Sequence, residues 1–232
     1  MKIKKLISGI LSLLVILIFT SAKQNPGSAN LKDMNYSYLA LGDSYTIGES
    51  IPPNENFPNQ TVQLLKKAGY DFNPPEIIAK TGWTTDELQA AANKHTFKPS
   101  YDFATLLIGV NNQYRDRTIE DYKPEFESLL KLAIQFAGGN ANHVIVLSIP
   151  DWGVTPFASG RNSKQIAKEI DDYNAVNKML SEKYKVQYID ITPGTREAAN
   201  NPSLLAKDGL HPSAKEYGRW AEKIAALIKQ QL

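Results

Sequence analysis

The 232-residue chain contains no cysteine. That excludes disulfides, thiol nucleophiles, thiolate metal sites and lipid attachment at a cysteine. Its fold must be held by a hydrophobic core, which a chain of this length can build. Histidine is scarce: His95, His143 and His211 are the three in the chain, so any imidazole chemistry has few places to reside. Excess charge is lacking too, with 26 Lys and Arg against 24 Asp and Glu. Lys2, Lys4 and Lys5 lie in the first 22 residues, which hold no acid, so the remainder has 23 basic and 24 acidic residues and a formal charge of −1. Nothing in that balance favours nucleic acid as a partner. Beyond residue 22 there is no long hydrophobic run, no internal repeat and no second compositional regime.

The first segment is the exception. Its lysines precede "LISGILSLLVILIFTSA", an apolar run ending in small residues, which is the pattern of a secretory signal peptide. The run is marginal beside the ~20 apolar residues of a spanning helix. The expectation is a signal peptide over 1–22, cleaved near Ala22, leaving no stable membrane anchor and placing the protein in a periplasm or the medium. Residues 23–35, "KQNPGSANLKDMN", are polar and turn-rich and read as a flexible tether. A single domain then occupies 36–232.

Within that domain short apolar runs alternate with stretches of helical periodicity. The runs are 37–42, 76–82, 103–109, 143–150 and 186–191; helices are expected around 58–68, 84–94, 123–137, 164–184 and 213–230. Val62, Leu65 and Ala68 follow the helical spacing, as do Leu129, Leu132, Ala133 and Phe136. Five strands alternating with helices imply a parallel sheet covered on both faces. Ligands of such sheets collect outside the carboxyl ends of the strands. There the sequence places Asp43 and Ser44, Gly82 and Trp83, Asn111 and Asn112, and Asp151 and Trp152.

Each of these residues has an ordinary structural role available. Asp43 and Ser44 suit a helix cap or turn. A phosphate-cradling loop between Gly42 and Gly48 is excluded, because the spacing is one residue too long and Glu49 stands where lysine belongs. The nucleophile elbow of lipases is also missing, since Thr46 occupies the position of its second glycine. If Ser44 is a nucleophile it needs a base. His95 follows a helix, and His143 opens a strand at the amino edge. His211 stands three residues after Asp208 in "DGLH", where a carboxylate can meet one imidazole nitrogen and leave the other for a hydroxyl. Ester hydrolysis also needs donors for an oxyanion, and the Ser44 amide, the Gly82 amide and the Asn111 side chain are candidates at the same edge. Two ligands without a further histidine or carboxylate cluster do not make a metal cage, so no metal or cofactor is expected.

The ordered set "GDS" (Gly42 to Ser44), Gly82, "GVN" (Gly109 to Asn111) and "DGLH" (Asp208 to His211) resembles the SGNH, or GDSL, hydrolase family over nearly the whole domain. The resemblance implies a three-layer α/β/α fold with a five-stranded parallel sheet in flavodoxin-like order. It further implies Ser44 as nucleophile, His211 as base and Asp208 as its orienting acid, with Ser44, Gly82 and Asn111 forming the oxyanion hole. Many members carry aspartate after the block-three asparagine; here it is Asn112, which bears on local hydrogen bonding. The family includes lysophospholipases, thioesterases, arylesterases and carbohydrate acetylesterases. Trp83, Tyr114, Trp152 and Phe157 fall in loops expected to ring the site and suit an acyl group or a sugar ring. Arg115 and Arg117 read first as solvated loop charges and second as contacts for a phosphate or carboxylate on the substrate. The favoured expectation is an exported acylhydrolase acting on small or single-chain esters, followed by a carbohydrate acetylesterase, with a non-catalytic exported binding module as the alternative of another class.

Overall fold

The computed structural model describes residues 35–232. The expected signal peptide, 1–22, and all but the last residue of the tether lie outside the described residues. In chain order the strands are β1 (Asn35–Tyr36), β2 (Tyr38–Asp43), β3 (Asp71–Phe72), β4 (Glu76–Lys80), β5 (Phe103–Leu107), β6 (Val144–Leu147) and β7 (Gln187–Ile189). The α-helices are α1 (Ser44–Ile47), α2 (Phe57–Lys67), α3 (Thr85–Ala92), α4 (Val110–Tyr114), α5 (Ile119–Phe136), α6 (Ser163–Tyr184), α7 (Thr192–Arg196) and α8 (Ala214–Lys229).

Five strands form one parallel sheet in the order β4-β2-β5-β6-β7. Counted along the chain this is 2-1-3-4-5, the flavodoxin-like order, and helices cover both faces to give three layers. The burial of the strands follows their place. Every residue of β2, β5 and β6 is buried, as strands covered on both faces require, whereas β4 and β7, at the edges, are only partly so. On one side α2 packs against α8; on the other α3, α5 and α6 pack in succession. Aromatic contacts between Phe57 of α2 and Tyr217 and Trp220 of α8 join the first helix layer to the end of the chain. The short parallel pair of β1 with β3 has no clear signal in the sequence, because two residues are too few to show alternation.

Polar side chains set the helix starts. Asn56 accepts from the Asn59 amide, Thr118 from Asp121 and Asn162 from Gln165, each satisfying one donor that the first turn leaves unpaired. The same chemistry places Ser44. Strand β2 ends at Asp43, whose carboxylate accepts the Tyr45 N–H at 3.0 Å and starts α1 on the next residue.

Gly42 makes this turn possible. A Cβ at Gly42 would lie 2.1 Å from the Thr46 hydroxyl oxygen and 2.4 Å from the Leu107 carbonyl oxygen. The Leu107 oxygen is backbone at the end of the central strand β5 and cannot give way as a flexible side chain could. Gly42→Ala is therefore expected to destabilise the protein by about 1–3 kcal/mol through overpacking. Thermal unfolding should show this as a Tm lower by about 3–10 °C.

Candidate functional site

The strand ends bring Ser44, Gly82, Asn111 and Trp152 to one edge, and the loop before α8 brings Asp208 and His211 across to them. His211 Nε2 lies 2.9 Å from Ser44 Oγ, and Nδ1 lies 2.6 Å from Asp208 Oδ2. His211 and Ser44 are buried, with relative exposures of 6% and 4%. Asp208 Oδ1 also accepts the backbone N–H groups of Leu210 and His211, each at 3.0 Å, so the Gly-Leu turn wraps around its own carboxylate. Partial burial pushes the Asp208 carboxyl up, but the hydrogen bonds from His211, Ser50 and the two amides outweigh it and hold the group at about 2. Asp208 is thus an anion near neutral pH and can only accept. In neutral imidazole the Nδ1 proton must then point to it, leaving Nε2 as a lone pair facing the Ser44 hydroxyl.

The other two histidines are remote from this edge. His95 bonds Glu76 at the start of β4 at 2.7 Å, and His143 stacks on Phe103, the first residue of β5, with ring centroids 4.6 Å apart. Both partners lie at the amino edge of the sheet.

Gly82 lies in the turn after β4 with φ of 85°, a left-handed value that a side chain would strain. Asn111 is held by its own amide. Nδ2 donates to the Trp83 carbonyl at 3.0 Å, while its second approach, to Asp43 Oδ2, is long at 3.5 Å. One amide proton is therefore committed to Trp83, the contact to Asp43 is weak, and Asn111 lines the cavity. Asn112 is buried and does different work: its Oδ1 accepts the Thr85 N–H at 3.0 Å and its Nδ2 donates to Thr85 Oγ1 at 2.6 Å. It joins α4 to the start of α3. The carboxamide supplies both an acceptor and a donor, which an ionised aspartate cannot.

A cavity of about 150 Å³ opens over Ser44 and His211. Tyr114, Trp152 and Phe157 form one wall, with ring centroids 5.3–6.1 Å apart. Trp152 is buried and anchored by its indole N–H, which donates to Gln113 Oε1 at 2.7 Å; Tyr114 and Phe157 are exposed at the mouth. Trp83 does not line this cavity. Its partly buried side chain packs on the core, and it serves the site through its carbonyl. Tyr45, Thr81, Val110 and Leu210, which sequence reasoning missed, do line it. Their only signal is adjacency to the residues that were singled out. Arg115 and Arg117 are engaged locally, the first by the Gly82 carbonyl and Glu87, the second by Asp86. Among the described residues no group of three or more His, Asp or Glu is arranged to hold a metal ion, and no helix is long and apolar enough to cross a membrane.

A parallel α/β sheet that presents a serine, an imidazole and a carboxylate in relay at its carboxyl edge defines a hydrolase-type site. The chain belongs to the GDSL-like Lipase/Acylhydrolase family, whose model matches residues 40–219. Solved structures agree on the fold. The acetylxylan esterase Axe2 from Geobacillus stearothermophilus superposes with a TM-score of 0.65 at 19% identity, covering 83% of this chain and 94% of that one. A lipase/acylhydrolase from Enterococcus faecalis gives 0.64 at 21% identity, covering 85% and 97%, and TesA gives 0.63 at 17%, covering 84% and 99%. No curated protein matches by sequence.

Asp43 is the electrostatic anomaly of the site. Its burial pushes the carboxyl up to about 7, against the opposing hydrogen bonds from the Tyr45 amide and its own. The folded state thus binds a proton more tightly than the unfolded chain, and stability falls as pH rises from about 4 to about 7. Asp43→Asn retains the acceptor for Tyr45 and removes the charge. Its Tm relative to the parent should rise across that pH window and level off above it; a Tm difference independent of pH would contradict this assignment.

Proposed function

We propose that the protein is an exported serine esterase that hydrolyses carboxylic esters of small or single acyl chains. The observation that carries this reading is the relay of 2.6 and 2.9 Å from Asp208 through His211 to Ser44, opening on an apolar cavity. Ser44 Oγ gives its proton to His211 Nε2 as it bonds to the ester carbonyl carbon, and Asp208 stabilises the imidazolium that forms. The carbonyl oxygen becomes an oxyanion and accepts hydrogen bonds from the Ser44 and Gly82 amides and from Asn111 Nδ2. As the carbonyl re-forms, the ester oxygen leaves with the proton from His211. The Ser44 acyl ester remains. Water, deprotonated by His211, attacks it in turn and releases the acid and free Ser44.

The cavity volume favours a short acyl group or the first carbons of a longer one. A carbohydrate acetylesterase is the second reading, favoured by the exposed aromatic side chains of Tyr114 and Phe157 at the mouth, a residue type that suits contact with a sugar ring. The fold likeness to an acetylxylan esterase is consistent with it. Export is supported by the basic, then apolar, then small-residue order of residues 1–22.

A fluorophosphonate should label Ser44 and abolish hydrolysis of 4-nitrophenyl acetate, and Ser44→Ala and His211→Ala should be inert while His95→Ala and His143→Ala remain active. Unchanged turnover in Ser44→Ala would sink the reading. Asn111→Ala is expected to lower kcat by about 10²–10³ with little change in KM or Tm, as loss of a transition-state donor does. Asn112→Ala should show the converse, a stability loss of about 1–3 kcal/mol from the stranded Thr85 amide, with a smaller change in kcat.

A further inference from the structure

Ser50 lies six residues past Ser44 in the chain and meets the far side of the relay. Its hydroxyl donates to Asp208 Oδ2 at 2.7 Å, the same oxygen that receives His211 Nδ1 at 2.6 Å. We propose that Ser50 is a positioning residue of the esterase, fixing the Asp208 carboxylate through its hydroxyl so that His211 stays aligned on Ser44.

The backbone supports a dedicated role. Ser50 has φ of 66°, a left-handed value that costs a residue with a side chain and that glycine would adopt freely. A turn selected for conformation alone would favour glycine there. The segment is tightly wound: the amides of Gly48 and Glu49 both bond the Ser44 carbonyl, and the Ile51 amide bonds the Gly48 carbonyl. This winding carries the chain from the serine at the end of β2 to the outer face of Asp208. The two halves of the relay, 167 residues apart for Ser44 and His211, are thereby tied at a second point, Ser50 to Asp208, 158 residues apart.

The carboxylate needs such a tie. Asp208 Oδ1 is held by the amides of its own turn, but Oδ2, which orients the imidazole, receives the Ser50 hydroxyl beside His211 Nδ1. The Asp208 side chain is 28% exposed, so water can replace the hydroxyl as a donor but cannot fix the direction from which it approaches. Loss of Ser50 should leave Asp208 ionised and His211 present, with a smaller fraction of molecules aligned for proton transfer.

The inference rests on the esterase reading above, and the test separates the two. Ser50→Ala and Ser50→Gly both remove the hydroxyl, but glycine also relieves the left-handed backbone and guards against a folding defect. With 4-nitrophenyl acetate, both variants should lose about tenfold in kcat with KM nearly unchanged, and Ser50→Gly should melt no lower than the parent. In an Asp208→Ala background the same substitutions should cost nothing further, because the hydroxyl then has nothing to position. Full kcat in Ser50→Gly, or an undiminished tenfold loss when Asp208 is absent, would overturn the role. If that happens while Ser44→Ala is inert, the esterase reading stands without Ser50; if Ser44→Ala is active, both fall.

Discussion

The hydrogen bond between His211 Nδ1 and Asp208 Oδ2 is the interaction on which the remaining geometry depends. It determines which imidazole nitrogen carries the proton, and so whether Ser44 faces a lone pair or a donor. Its strength comes from local chain economy. Asp208 and His211 share one tight turn, so Oδ1 of the carboxylate is held by the backbone amides of Leu210 and of His211 itself before any distant element arrives. The long-range requirement is the placement of the loop before α8 against the end of β2 and the segment that follows it, where Ser50 meets Oδ2. The packing of α8 on α2 supports that placement.

On the opposite side of the cavity the logic is reversed. Asn111, Gly82 and the Ser44 amide come from three separate strand ends and depend on the sheet for their relative positions. Adjacent parallel strands hold those ends at a fixed spacing, which is why donors on them are preorganised without help from a ligand. The buried Asp43 belongs to this arrangement: it starts α1 and sits near the Asn111 amide, and the protein bears the cost of burying that carboxyl group at the site.

Much of this was legible in the sequence because the signals were local and strong. Apolar runs and helical spacing located all five strands of the main sheet and the longer helices, and the strand-end rule collected Ser44, Gly82, Asn111 and Trp152 at one edge. The paired position of β1 and β3 was not legible, since two-residue strands carry no period. Trp83 shows a second limit. Its neighbour Gly82 lines the cavity, but a left-handed turn at Gly82 redirects the chain, and adjacency in sequence does not report which way the next side chain goes. Ser50 shows a third, because its partner is 158 residues away and nothing in its own neighbourhood marks it as more than a turn residue.

The separation of the relay along the chain has a consequence in time. His211 follows Ser44 by 167 residues, so the serine is synthesised well before its base. Strands β2, β4 and β5 alone would hold the serine beside no base, and its hydroxyl would not be activated. The relay is complete only with the loop before α8 in place, and α8 itself packs on α2 in the helix layer over one face of the sheet. Under the proposed function, turnover therefore reports the finished architecture rather than its collapsed precursors.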